Sequence, residues 1–147
     1  MDKESNINGI KLQYEIIKDD FSRAGEASSN VKKVLRQLGI DDTVIRRTAI
    51  VTYEAEMNIV IHSEGGRIKV LINPDHIQIT AEDFGPGIEN IELAMQEGYS
   101  TASNKVRELG FGAGMGLPNM KRCSNEFSIH SKKGEATIVT MIIYING

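Results

Sequence analysis

The fold is decided by a helical segment, Tyr53-Glu54-Ala55-Glu56-Met57-Asn58-Ile59-Val60-Ile61-His62, and by two glycine-bearing segments that follow it. The second segment is Glu82-Asp83-Phe84-Gly85-Pro86-Gly87-Ile88, and the third is Gly110-Phe111-Gly112-Ala113-Gly114-Met115-Gly116-Leu117. Each segment alone is compatible with ordinary structure: a polar helix face, a turn or a flexible hinge. Their order along one chain makes them candidates for parts of a single functional site.

Glu54 and Asn58 are the polar pair of the helical segment. They are four residues apart, so on a helix they share one face, from which Glu56 and Met57 are excluded. A carboxylate can orient or deprotonate a nucleophile. A carboxamide oxygen is a ligand suited to Mg²⁺, which takes few protein ligands beside nucleotide phosphates. The alternative, a solvated polar face, is favoured if the pair is considered alone.

Asp83 comes at the end of an apolar strand pattern and precedes two glycines. A carboxylate at a strand end can accept a hydrogen bond from an adenine amino group. Gly85 and Gly87 have no Cβ, so the backbone there can approach a base closely. The alternative is a plain turn, for which Asp, Gly and Pro are common residues.

The third segment has glycine at every second position directly before a predicted helix. Exposed backbone N–H groups at a helix N-terminus form a site for phosphate, and the helix dipole strengthens it. Polar residues of the preceding loop could contribute hydroxyl donors and positive charge: Ser100, Thr101, Lys105 and Arg107. A flexible hinge with solvated charges is an equally good interpretation of this segment alone.

The remaining sequence predicts an α+β chain. Residues 10–17 alternate as a strand, and a helix over residues 23–38 follows a turn and N-cap at Asp19-Asp20-Phe21-Ser22. Asp41 or Asp42 caps the next helix, which extends to His62. Further elements are expected as strands at 67–72 and 77–83, a short helix at 89–95, a helix at 115–123, and strands at 127–131 and 137–145. The fold predicted is a two-layer α/β sandwich with a mixed, mostly antiparallel sheet covered on one face by helices.

Bulk properties limit the function classes. The chain has 147 residues, which suits one domain spanning 1–147. The formal net charge is −3, which argues against a nucleic-acid partner. No apolar run approaches the roughly 20 residues needed to cross a bilayer. The single cysteine, Cys123, excludes an internal disulfide, and we expect a cytoplasmic protein without a membrane or zinc role.

The three segments resemble the sequence boxes of the GHKL superfamily, the Bergerat-fold ATPases that include gyrase, heat-shock chaperones, histidine kinases and mismatch-repair proteins. The resemblance covers about residues 50–140. The first box matches Glu54, Asn58 and His62, the second matches Asp83, Gly85 and Gly87, and the third spans Gly112, Gly114, Met115, Gly116 and Leu117. Thr137 is similar to the last-strand threonine that helps to hold adenine. The resemblance implies ATP and Mg²⁺ as cofactors.

Within the superfamily the chain resembles bacterial anti-sigma factors and switch kinases of partner-switching systems. The motif Gly98-Tyr99-Ser100-Thr101 and the stretch from Gly112 to Arg122 are similar to that branch. The resemblance implies a serine/threonine protein kinase that phosphorylates a STAS-domain antagonist and thereby regulates transcription. Glu54 would be the general base, Asn58 the Mg²⁺ ligand and Asp83 the adenine-selecting residue. A lid at about residues 96–113 would close over the phosphates.

Other functions remain open at this level. The chain could be an ATP- or ADP-dependent binding module without kinase activity, a catalytic domain related to histidine kinases, or a degenerate relative of these ATPases. A sigma factor or a downstream phosphatase is open as a further partner, and so is a homodimer.

Overall fold

The computed structural model describes residues 9–85, 95, 116–131 and 134–145. Over these residues the chain forms five β-strands, three α-helices and one turn of 3-10 helix, Phe21–Arg23. The strands are β1 (Ile10–Ile16), β2 (Gly66–Ile72), β3 (His76–Asp83), β4 (Glu126–His130) and β5 (Ile138–Tyr144). The helices are α1 (Glu26–Gln37), α2 (Asp42–His62) and α3 (Gly116–Cys123).

The five strands form one sheet in the order β1-β2-β3-β5-β4, and all four of these pairings are antiparallel. Along β2, residues Ile68, Val70 and Ile72 are buried, whereas the alternating residues between them remain accessible. Such alternation leaves one face of a sheet in the core. The predicted α+β sandwich is therefore confirmed, and its sheet is antiparallel throughout the described pairs.

Helix α2 is the central helix of the core. The Asp41 side chain accepts a hydrogen bond from the Thr43 N–H at 3.0 Å, which confirms the predicted N-cap. Two fully buried hydroxyls on this helix, those of Thr48 and Thr52, donate to carbonyl oxygens one turn earlier. Because these polar groups are satisfied within the helix, α2 can pack in the core along most of its length.

The predicted start of α1 is wrong. The helix begins at Glu26, and its N-cap is Gly25, which has φ 98° and no side-chain capping hydrogen bond. Asp20 instead accepts from the Ser22 hydroxyl at 2.8 Å. A partner from α2 replaces the local cap, because Glu56 Oε2 accepts from the Ala27 N–H at 3.3 Å. Capping by a residue so distant in sequence cannot be inferred from local capping patterns.

Arg47 ties α2 to the far end of α3. Its Nε donates to the Cys123 carbonyl at 2.9 Å, and its Nη2 donates to Asn125 Oδ1 at 3.0 Å. These bonds fix α3 against α2, where Gly116 at the start of α3 lies beside Asn58. Among the described residues, no helix combines the length and the apolar character that crossing a bilayer requires.

Candidate functional site

Glu54 and Asn58 lie one turn apart on α2, both half-buried, as their spacing predicts. Glu54 Oε2 accepts a hydrogen bond from Asn119 Nδ2 at 3.0 Å. The Asn119 amide is itself oriented, because Arg122 Nη2 donates to its Oδ1 at 3.3 Å. Glu54 Oε1 forms no hydrogen bond within the described residues. One carboxylate oxygen is thus fixed while the other is available to a ligand.

Asn58 lies directly against the first residue of α3. A Cβ added to Gly116 would lie 2.9 Å from Asn58 Oδ1, a distance that real Cβ contacts do not reach. Glycine is therefore needed for the helix terminus to approach the amide this closely. The Asn58 amide forms no hydrogen bond with the described residues. A half-buried amide oxygen without a partner, next to a helix N-terminus, fits a divalent cation that also binds phosphate.

Asp83 connects the ends of β3 and β5. Its Oδ1 accepts from the N–H groups of Gly85 and Thr137, both at 2.9 Å, and its own N–H donates to the Thr137 carbonyl. Thr137 is buried, and its hydroxyl lies 2.6 Å from the Ser131 hydroxyl. Within the described residues Asp83 Oδ2 has no hydrogen-bond partner. A carboxylate that is held through one oxygen can present the other to a donor group of a ligand.

Gly66 is a positioning residue that the sequence did not identify. It pairs with Asp83 across β2 and β3. A Cβ at Gly66 would lie 2.2 Å from the Glu82 carbonyl oxygen and 2.7 Å from the Asp83 Cα, which are backbone atoms that cannot move aside. The available signal was the pair Gly65-Gly66 directly before a strand, but such a pair is also typical of a simple break between elements.

His62 continues the face of Glu54 and Asn58 by one more turn and is the last residue of α2. Desolvation by the surrounding protein lowers the pKa of its imidazole. The imidazole is therefore neutral at pH 7, a state that allows it to accept a hydrogen bond as well as donate one.

Glu56, between Glu54 and Asn58 in sequence, faces the opposite way, and its side chain is only 2% exposed. Desolvation raises the pKa of its carboxyl group, although backbone N–H groups at the start of α1, including that of Ala27, partly oppose the shift. Its Oε1 is buried without a hydrogen-bond partner among the described residues. The helix period excluded Glu56 from the site face correctly, but gave no sign that the side chain is buried.

The described part of the chain brings together Glu54, Asn58 and Gly116, and separately Asp83, Gly85 and Thr137. The side chain of Leu117 is buried in the core. The other predicted site residues lie outside the described residues: Gly87, Ser100, Thr101, Lys105, Arg107, Gly112, Gly114 and Met115. The whole lid predicted at 96–113 and most of the helix expected at 89–95 lie outside them too.

Comparison with known proteins shows the family of the chain. The family model described as "Histidine kinase-, DNA gyrase B-, and HSP90-like ATPase" matches residues 43–146. Serine/threonine-protein kinase RsbT of Bacillus subtilis is 32% identical over 118 residues, which cover 78% of this chain and 83% of RsbT. An anti-sigma F factor of Anoxybacillus flavithermus is 32% identical over 146 residues, or 94% of this chain and 93% of that protein.

A solved structure shares the fold at low sequence identity. The SiaB–SiaC complex from Pseudomonas aeruginosa contains a chain with a TM-score of 0.64 and 15% identity, and the match covers 95% of this chain and 92% of that one. The region that the family model matches, residues 43–146, contains all three sequence segments, so the resemblance drawn from them is confirmed. The chain belongs to the histidine kinase-, DNA gyrase B- and HSP90-like ATPase family.

Proposed function

We propose that this protein is a Mg²⁺- and ATP-dependent serine/threonine kinase of a partner-switching system, and that it phosphorylates a STAS-domain protein in the cytoplasm. One observation carries the proposal: Asn119 fixes Glu54 one turn from the Asn58 amide, which has no partner among the described residues. The names of two relatives support it, since one is called a serine/threonine-protein kinase and another an anti-sigma F factor. The system can include a sigma factor or a phosphatase as a further partner.

The nucleotide would lie between the two groups of site residues. Asp83 Oδ2 would accept from the adenine amino group, and Thr137 would support the carboxylate. Asn58 would ligate Mg²⁺, and the lid residues and backbone of the third segment would bind phosphate. When bound, the cation would neutralise charge on the phosphate oxygens, which is the main requirement of phosphoryl transfer.

Glu54 would act on the protein substrate. Glu54 Oε1, which has no hydrogen-bond partner among the described residues, can accept the proton of a serine or threonine hydroxyl as the hydroxyl oxygen bonds to the terminal phosphorus and ADP leaves. The hydrogen bond from Asn119 to Oε2 restrains the carboxylate. A positioned general base contributes about 10² to 10⁴ in rate, so the Glu54→Gln variant is expected to lose at least a hundredfold in transfer rate.

Label transfer from ATP to a panel of STAS-domain proteins tests the proposal. Wild-type protein should label one member on an acid-stable serine or threonine, and Glu54→Gln should bind ATP normally but transfer label at least a hundredfold more slowly. The control is Glu26→Gln, which removes an exposed carboxylate on α1 and should leave transfer unchanged. Failure of the wild-type protein to label any member, under conditions in which it binds ATP, argues against kinase activity.

A second function is favoured by the anti-sigma names among the relatives, because such a name describes binding and not catalysis. In this case the protein would bind its partner under control of ATP or ADP without phosphorylating it. The Glu54→Ala variant separates the two functions. One outcome is that the variant still controls the activity of its partner in cells while neither the variant nor the wild-type protein transfers label. In that outcome nucleotide-dependent binding alone is sufficient.

A further inference from the structure

An open groove of about 490 Å³ runs between α1 and α2 and ends at Glu54. Its apolar floor includes Ile50 and Tyr53, and Tyr53 is 37% exposed. Lys32, Arg36 and Arg46 form its sides. Glu54, the proposed catalytic carboxylate, is itself part of the lining, so a substrate segment held in the groove would lie next to it.

The three cations of the groove are not neutralised. Within the described residues, none of Lys32, Arg36 and Arg46 forms a hydrogen bond or ion pair, and they outnumber the two carboxylates of the lining, Asp42 and Glu54. The chain as a whole has a formal net charge of −3, so this positive surface is a local feature. Cations that have no internal partner at a concave surface are available to an anionic ligand.

We propose that this groove docks an acidic segment of the protein substrate and thereby directs the acceptor hydroxyl to Glu54. This inference rests on the proposed kinase function and specifies the chemistry of its partner. Carboxylates of the segment would pair with Arg36 and Arg46, while apolar atoms would contact Tyr53, an aromatic residue of the type that often anchors an interface. A protein occupant is favoured over nucleic acid by the apolar floor and the acidic chain.

The geometry also sets where the acidic residues lie. Arg46 and Glu54 are eight residues apart on one helix face, which is about 12 Å along the axis. An extended segment rises about 3.3 Å per residue. A carboxylate that pairs with Arg46 should therefore be about four residues from the acceptor serine or threonine.

Charge reversal in the groove tests the proposal. The double variant Arg36→Glu/Arg46→Glu is compared with wild type for binding to the STAS-domain panel by calorimetry in the presence of ATP, and for label transfer. Both arginines are exposed, so the fold should persist, which circular dichroism checks. We expect the affinity for the partner to fall at least tenfold, with a matching rise in KM for the partner and no change in ATP affinity. Lys33→Glu is the matched control, because Lys33 is exposed on α1 outside the groove.

A complementary exchange gives the second readout. Replacing the partner's acidic residue about four positions from its acceptor with lysine should weaken binding to wild type and restore binding to the double variant. Partner affinity within twofold of wild type in the double variant would overturn the groove assignment while leaving the kinase proposal intact. Displacement of the partner by a 20-base-pair DNA duplex would identify nucleic acid as the occupant instead. Absence of both binding and transfer by wild type would reject the kinase proposal, and the groove inference with it.

Discussion

The amide of Asn119 on α3 donates a 3.0 Å hydrogen bond to Glu54 Oε2 on α2, across a separation of 65 residues in sequence. The bond joins the helix that contains the first sequence segment to α3, which begins at Gly116 within the third segment. It fixes the carboxylate that we assign as the general base, so Asn119 acts on the proposed chemistry through Glu54. Asn119 is thus a positioning residue.

Removing this bond should slow transfer without weakening nucleotide binding. A hydrogen bond to a charged group contributes about 1.5–3 kcal/mol, so Asn119→Ala is expected to lower kcat by at least about tenfold. Steady-state kinetics should show an unchanged KM for ATP. The control is Asn125→Ala, which removes the acceptor for Arg47 and should lower thermal stability while leaving kcat unchanged. A rise in KM for ATP with constant kcat in Asn119→Ala would contradict the positioning role.

The contact between Gly116 and Asn58 gives a prediction that separates binding from stability. In Gly116→Ala the new methyl group would displace the Asn58 side chain, so the affinity for Mg-ATP should fall about tenfold or more. Unfolding free energy should change little, because Gly116 is the first residue of α3 and the preference of about 1 kcal/mol for alanine over glycine applies to helix interiors. Calorimetry and denaturant unfolding measure the two quantities.

Gly39→Ala should do the opposite of Gly116→Ala, lowering stability while leaving ATP affinity unchanged. Gly39 follows α1 with φ 74°, and a Cβ added there would meet no described atom within 4 Å. The substitution should cost about 1 kcal/mol of stability through backbone strain and leave ATP affinity unchanged. Equal ATP affinity in Gly116→Ala and wild type would show that Asn58 does not bind the nucleotide or its cation.

Glu56 predicts a specific pH dependence of stability. Because burial raises the pKa of this carboxyl group in the folded state, the unfolded chain loses its proton first as pH rises. Stability should therefore fall between the unfolded pKa of about 4.3 and the raised folded pKa, and remain lower above it. Urea unfolding at several pH values should show that this fall is absent in Glu56→Gln. The exposed residue Glu135 is the control, because it is not among the groups that shift the Glu56 pKa, and Glu135→Gln should retain the slope. A parallel pH profile for Glu56→Gln and wild type would contradict the assignment.

Much of the fold could be predicted because its signals are local. Alternation identified β2 and β3, and Asp41 marked the start of α2 through the side-chain bond that the structure contains. The site face of α2 followed from the four-residue spacing of Glu54 and Asn58. These features depend on helix and strand periods, which a single sequence displays directly.

The features that sequence reasoning missed all depend on tertiary packing. The start of α1 is set by Glu56, which belongs to another helix, so the local Asp and Ser residues near position 20 misled the prediction. The role of Asn119 depends on how α3 packs against α2. The need for glycine at position 66 arises from the backbone of β3, and the sequence contains no record of which strand lies opposite.

The central claim, that Asp83 and Asn58 belong to one adenine-nucleotide site, is tested most directly by calorimetric titration of wild type and Asp83→Asn with Mg-ATP and Mg-GTP. The asparagine oxygen can still accept from Gly85 and Thr137, but an amide nitrogen then replaces the oxygen that would accept from adenine. The account predicts that wild type binds ATP at least tenfold more tightly than GTP, and that Asp83→Asn loses at least tenfold in ATP affinity while it remains folded. Equal ATP affinity in the two proteins, or no ATP binding by wild type at millimolar concentration, would contradict it.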